Sequence, residues 1–225
     1  MILCLETATN LCSVALCNSA GVISVRESND LKSHASMLTV FINEILNEAG
    51  ITAQKLDAVA VSKGPGSYTG LRIGVSVAKG IAYAASIPLI GIDTTFSMFN
   101  GVNKSGSLYC PMLDARRMEV YYAVYDSNGN TVRNISAKII TEDSFMDIPE
   151  SSDILFFGDG SEKCKGLIKR ANVHFDDDFR MSAAHMYKPA IQALDKKHFE
   201  DVAYFEPFYL KDFITSTPRK SIFGN

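Results

Sequence analysis

Ile2-Leu3-Cys4-Leu5-Glu6-Thr7-Ala8-Thr9-Asn10-Leu11-Cys12-Ser13-Val14-Ala15-Leu16-Cys17-Asn18-Ser19-Ala20-Gly21 reads as a strand ending on an acid, a short connection, a second strand and a turn closed by glycine. The pattern returns without a gap at an offset of 108 residues. Leu5, Glu6, Val14, Leu16, Asn18, Ser19 and Gly21 fall on Leu113, Asp114, Tyr122, Val124, Asp126, Ser127 and Gly129. Chance likeness of two β-meanders is the alternative, since turns of this kind are common. Acid, turn and alternating strand matching at one offset favour a duplicated lobe.

Working outward, residues 2–6, 12–17 and 22–27 read as three strands. A helix follows at about 33–49, where Met37, Leu38, Phe41, Ile42, Ile45, Leu46 and Ala49 form one wide apolar stripe. A strand at 57–63, a glycine-bearing loop, a helix at about 67–85, a strand at 87–92 and a short helix at 94–100 complete the first unit. Asn103 to Ser107 reads as a linker. The second copy runs to about Lys138, followed by a strand at 153–157, Gly158-Asp159-Gly160 and a helix at about 161–171. His174 to Phe179, with three consecutive aspartates, reads as solvated, and Pro207-Phe208-Tyr209 as a docked extended segment. The expectation is an α/β chain with lobes at 1–104 and 105–225, the second reduced.

The 225 residues are 47% apolar and 21% charged, an ordinary globular balance. Net charge is −3. A protein that grips a nucleic-acid backbone alone usually carries a basic face, so the acidic total argues against that without excluding a local basic patch. Five cysteines, an odd number with no Cys-x-x-Cys, read as reduced, buried thiols of a cytoplasmic protein. Glu6 interrupts the apolar N-terminus and no basic stretch precedes it, unlike a signal peptide. Arg72, Lys79 and Pro88 break the longest apolar stretch, which rules it out as a membrane span.

In a duplicated fold of this kind the first hairpin of each lobe faces a central cleft. Acids at the strand ends, Glu6 and Asp114, would point at a shared metal and phosphate. A phosphate seat needs backbone N–H groups at close approach, which glycine permits. Glu6-Thr7-Ala8-Thr9-Asn10 and Asp114-Ala115-Arg116-Arg117-Met118 contain none, and the Glu6 side chain is expected to reach into the phosphate space. The cleft, with Gly158, Asp159 and Gly160 beyond, therefore reads as degenerate, and weak nucleotide binding is the alternative.

Lys63-Gly64-Pro65-Gly66-Ser67-Tyr68-Thr69-Gly70 mimics a dinucleotide loop, but the glycines are mis-spaced and Pro65 removes a donor. No Gly-Lys-Ser/Thr follows, so a Walker A loop is excluded. The helix after the loop is apolar or small nearly all round. Gly70, Gly74 and Ala78 share one face, which would let another helix approach closely; burial against the chain's own second lobe is the alternative. Four scattered histidines offer no metal site, and nothing marks a Ser-His-Asp or Cys-His triad.

Ile2-Leu3-Cys4-Leu5-Glu6-Thr7-Ala8-Thr9, Lys63-Gly64-Pro65-Gly66-Ser67-Tyr68-Thr69-Gly70-Leu71-Arg72-Ile73-Gly74 and Leu113-Asp114-Ala115-Arg116 resemble the TsaB (YeaZ) family, as do Gly158-Asp159-Gly160 and Pro207-Phe208-Tyr209-Leu210-Lys211. The resemblance is dense in the first lobe and sparse in the second. It implies two RNase H-like lobes of the actin/Hsp70/sugar kinase type, with mixed sheets flanked by helices. It also implies a non-catalytic paralogue of the TsaD threonylcarbamoyl transferase, often labelled a glycoprotease. With TsaD and a TsaE-type ATPase, such a subunit enables N6-threonylcarbamoyladenosine (t6A) formation in tRNAs reading ANN codons. ATP would be used by the complex, tRNA would be held mainly by other subunits, and no metal or cofactor is implied for this chain. The catalytic paralogue's His-x-x-x-His is absent here, and the family more often shows Asp where Glu6 stands. The heterodimer would use the first two helices. Its expected contributors are His34, Leu38, Phe41, Ile45, Tyr68, Gly70, Arg72, Gly74, Val75 and Lys79, and an exposed apolar helix pair implies a homodimer in isolation. A stand-alone ATPase or small-molecule kinase of the same fold is the alternative function.

Overall fold

The computed structural model of the chain describes residues 1–29 and 34–211, without the side chains of residues 34 and 35. The first sheet is built from β1 (Ile2–Glu6), β2 (Cys12–Asn18), β3 (Gly21–Ser28), β4 (Ala58–Gly64) and β5 (Leu89–Asp93), in the order β3-β2-β1-β4-β5. β1 pairs antiparallel with β2 and parallel with β4. β1 is wholly buried and β4 nearly so, apolar on both faces because both faces of the sheet are covered.

One face carries α1 (His34–Glu48) and α2 (Tyr68–Ala85). Leu38, Phe41, Ile42 and Ile45 recur at helical spacing and pack with Val75, Ala78 and Ala82 onto Leu3, Leu5, Val14, Val59 and Val61. Ser67 caps α2, its side chain accepting from the Gly70 N–H at 3.3 Å.

The other face is lined by Ile2, Cys4, Ala15, Cys17, Ala58 and Ala60, whose small side chains leave room for a covering segment. That cover is a short 3₁₀ turn at Ala183–Met186 and α4 (Tyr187–Asp195). The expected second lobe, 105–225, thus differs from what is found: residues 183–195 complete the first lobe. Pro189 sits in the first turn of α4, where a missing N–H costs nothing.

The second sheet repeats the first. β6 (Leu108–Asp114), β7 (Glu119–Asp126), β8 (Thr131–Ile139), β9 (Ile154–Phe157) and β10 (Val173–Asp176) lie in the order β10-β9-β6-β7-β8, the same arrangement read from the opposite edge. Its core gathers Met112, Tyr122, Phe145, Phe156 and Ile168. Where the first sheet has α1 and α2, the second has turns. The helix expected at 161–171 is reduced to a 3₁₀ turn at Glu162–Cys164, because Lys165 is extended and Gly166 turns left-handed at φ 74°. β10 lies where the three aspartates suggest solvated loop; they begin only at its last residue. α3 (Thr94–Gly101) lies between the sheets, Met98 packing with Leu113, Leu155 and Phe157.

Beyond α4 the chain crosses back over both lobes. The Glu200 N–H donates to the Leu89 carbonyl at 2.8 Å and the Phe208 N–H to the Lys63 carbonyl at 2.6 Å. Lys211 pairs with Glu119 at the start of β7. The docked extended segment expected at Pro207-Phe208-Tyr209 is this strap.

Candidate functional site

Between the lobes lies a cleft of about 520 Å³, bordered by the β1–β2 hairpin, the 65–69 loop, the β6–β7 turn and the strap. Asp114, Arg116 and Asp159 line it; Glu6 and Thr7 do not. Glu6 was expected to reach into the phosphate space, and the structure turns it the other way. It is fully buried, accepting from the Ala8 N–H at 2.7 Å and from the Ser62 hydroxyl. Burial outweighs these bonds and pushes its carboxyl up to about 7.

The Thr7 hydroxyl donates to the Gly70 carbonyl at 2.8 Å, and the Ser67 N–H donates to the Ala8 carbonyl at 2.6 Å. A Cβ at Gly66 would collide with Ala8, and one at Gly70 with the Thr7 carbonyl. The glycine loop therefore comes close to the chain's own hairpin, and the groups that would meet a phosphate there are already bonded.

Across the cleft, Asp114 accepts from the Arg116 N–H at 2.8 Å and pairs with Lys163. Asp159 accepts from the Asp114 N–H at 3.0 Å, and burial raises its carboxyl pKa. Gly158 and Gly160 have no room for a Cβ against the β6 backbone, so both serve the packing of that turn. Arg116 and Arg117 are consecutive left-handed residues, at φ 69° and 50°. This conformation costs a side-chain-bearing residue roughly 1–2 kcal/mol.

The helix face also differs from expectation. Leu38, Phe41, Ile45 and Val75 are buried in the first lobe's own core and cannot meet a partner. Gly70 and Gly74 face Thr7, not a second helix; a Cβ on Gly74 would collide with the Thr7 hydroxyl. Tyr68, Arg72 and Lys79 reach the surface, but the strap engages all three. The Arg72 guanidinium lies 4.4 Å over the Tyr68 ring and hydrogen-bonds Tyr209, whose ring is 4.9 Å from that of Tyr68. Lys79 donates to the carbonyls of Ala203 at 3.2 Å and Phe205 at 2.8 Å. The His34 side chain lies outside the described residues.

Apolar residues of α1 and α2 also face outward. Val40 is 45% exposed and Tyr83 82%, Gly80 and Ala84 are open, and Met37, Ile73, Val77 and Ile81 are half-buried at the edge of the first lobe's core. The missed signal was legible. Ile73, Val77, Ile81 and Ala84 recur at i, i+4, i+8 and i+11, a stripe that widens the apolar face of α2 past its fully buried residues.

None of the five cysteines forms a disulfide, and all are buried. Among the described residues no cluster of His, Cys, Asp or Glu is arranged to hold a metal, and no helix is long and apolar enough to cross a membrane.

Two sheets of identical strand order around a cleft define a protein of RNase H-like, actin-like fold. A crystal structure from Pseudomonas aeruginosa, described as an uncharacterized protein with similarity to peptidase YEAZ, superposes with a TM-score of 0.83 at 24% identity, covering 93% of this chain and 99% of that one. The family model TsaD: tRNA N6-adenosine threonylcarbamoyltransferase matches residues 28–216, and the chain belongs to that family, among its TsaB (YeaZ) members. It is 38% identical over 132 residues to the tRNA threonylcarbamoyladenosine biosynthesis protein TsaB of Escherichia coli (strain K12), a match spanning 57% of each chain. The protein of the same name from Bacillus subtilis (strain 168) is 28% identical over 216 residues, 93% of each chain.

Proposed function

We propose that this chain is a cytoplasmic, non-catalytic subunit of the machinery that forms t6A in tRNA, acting by binding a TsaD-type transferase. The names of its relatives supply the pathway. The observation that carries the scaffold role is the outward apolar surface of α1 and α2, beside a cleft whose hairpin amides and hydroxyls are already bonded to the protein. A helix pair that fills its own core and still leaves Val40 and Tyr83 exposed has apolar surface left to cover. The transferase partner takes that face, and a second copy of the chain takes it when the partner is absent. ATP hydrolysis belongs to the other subunits, including a TsaE-type ATPase, and tRNA reaches this chain only within the complex.

The test is association of the full chain with a TsaD-type transferase, followed by sedimentation. Val40→Asp with Tyr83→Asp places two charges on exposed positions and should abolish the complex while leaving the melting temperature within a few degrees. Gly74 is unsuitable for this purpose, since a larger residue there collides with Thr7. The alternative of a stand-alone ATPase or kinase predicts that the isolated chain binds Mg-ATP tightly. Tight binding without partner association would overturn the scaffold reading.

A further inference from the structure

Arg116 and Arg117 stand in the β6–β7 turn at the cleft mouth, both exposed and both left-handed. Positions of this kind are taken by glycine or asparagine when only the turn matters. Two arginines held there indicate that the side chains are wanted despite the backbone. The neighbouring cations are committed, Lys163 to Asp114 and Lys211 to Glu119. Among the described residues neither the Arg116 nor the Arg117 guanidinium has an ion-pair or hydrogen-bond partner. Arg116 borders the same cleft as the Tyr68–Tyr209 ring pair, together with Asn10 and Thr69. Unpaired guanidinium forks match phosphodiester oxygens, whereas the Tyr68 ring is already taken by Arg72 and Tyr209.

We infer that this turn is an RNA contact, in which Arg116 and Arg117 hold phosphodiesters of the tRNA at the cleft mouth. The inference rests on the t6A reading above. A free nucleotide fits less well, because its terminal phosphate would need the deep seat where Thr7, Ala8, Ser67 and Gly70 bond one another. The chain's net charge of −3 gives no general attraction to RNA, so the contact is local and acts within an assembled complex.

The experiment uses the full chain assembled with its transferase and ATPase partners. Glycine suits a left-handed backbone, so Arg116→Gly with Arg117→Gly keeps or raises the melting temperature while removing both charges. The double variant should raise KM for tRNA roughly tenfold at unchanged kcat and lower the slope of log affinity against log salt by about two; Arg→Lys at both positions should restore most of the slope. Unchanged KM and slope in a complex that sediments as the wild type does would overturn the RNA contact alone. ATP binding by the isolated chain that disappears with these arginines would also overturn it, assigning the phosphate to a free nucleotide. A wild-type chain that does not assemble would overturn the scaffold reading and this inference together.

Discussion

Glu6 sits where a carboxylate has no water, and its acidity follows. Its pKa in the fold, about 7, lies above the ordinary 4.5, so between these values the folded state binds more protons than the unfolded one. This residue's contribution is fully present below about pH 4.5 and is lost as pH rises through about 7, a swing on the order of 3 kcal/mol. His185 acts in the opposite sense, because burial lowers its pKa and its contribution is lost as pH falls. Chemical denaturation of Glu6→Gln and wild type at pH 5 and pH 8 separates the two. The variant should be nearly isoenergetic at pH 5 and clearly more stable at pH 8, and a difference that does not grow with pH would contradict the burial argument. The acid at the end of the first strand was legible in the sequence, but its direction was not. Which side of a turn a carboxylate faces depends on a neighbour 56 residues away, the Ser62 hydroxyl.

At the scale of the element, α2 was legible as an unusual helix and misread in its purpose. A stripe of glycines records that something comes close, not what comes close. Here it is Thr7 on the hairpin, held by the hydroxyl bond to the Gly70 carbonyl. The two kinds of glycine in this helix should separate on substitution. Gly74→Ala drives a methyl into the Thr7 side chain and should cost about 1–3 kcal/mol. Gly80 has open space around its Cβ position, and Gly80→Ala should stabilise the isolated chain by up to ~1 kcal/mol. Thermal melts of the two variants check both signs, and a destabilising Gly80→Ala would contradict the open face described here. Leu38, Phe41 and Ile45 illustrate the same limit on α1. Periodicity identifies an apolar stripe correctly, yet the most regular stripe is the one the core has already used.

For the molecule as a whole, the duplication was the most readable feature, and both sheets share one strand order. The return of residues 183–195 to the first lobe was not readable, because α4 is nine residues long and its apolar face does not say which sheet it covers. The strap was recognised only as extended chain, although it ties Lys63, Lys79 and Glu119 across both lobes. Its Lys211–Glu119 pair is largely solvated on the lysine side, and Lys211→Ala should change stability by less than about 1 kcal/mol. Tyr209→Ala removes the ring against Tyr68 and the bond to Arg72, and should cost about 1–2 kcal/mol and speed amide exchange at the Phe208 N–H. Equal effects from the two substitutions would contradict this division.

The central claim is that the outward α1–α2 face binds a TsaD-type transferase. Its most direct test is sedimentation of the chain with that transferase, wild type against Val40→Asp with Tyr83→Asp. A 1:1 complex for the wild type and none for a variant that melts normally is the predicted result. A complex of equal stability in both would contradict the account.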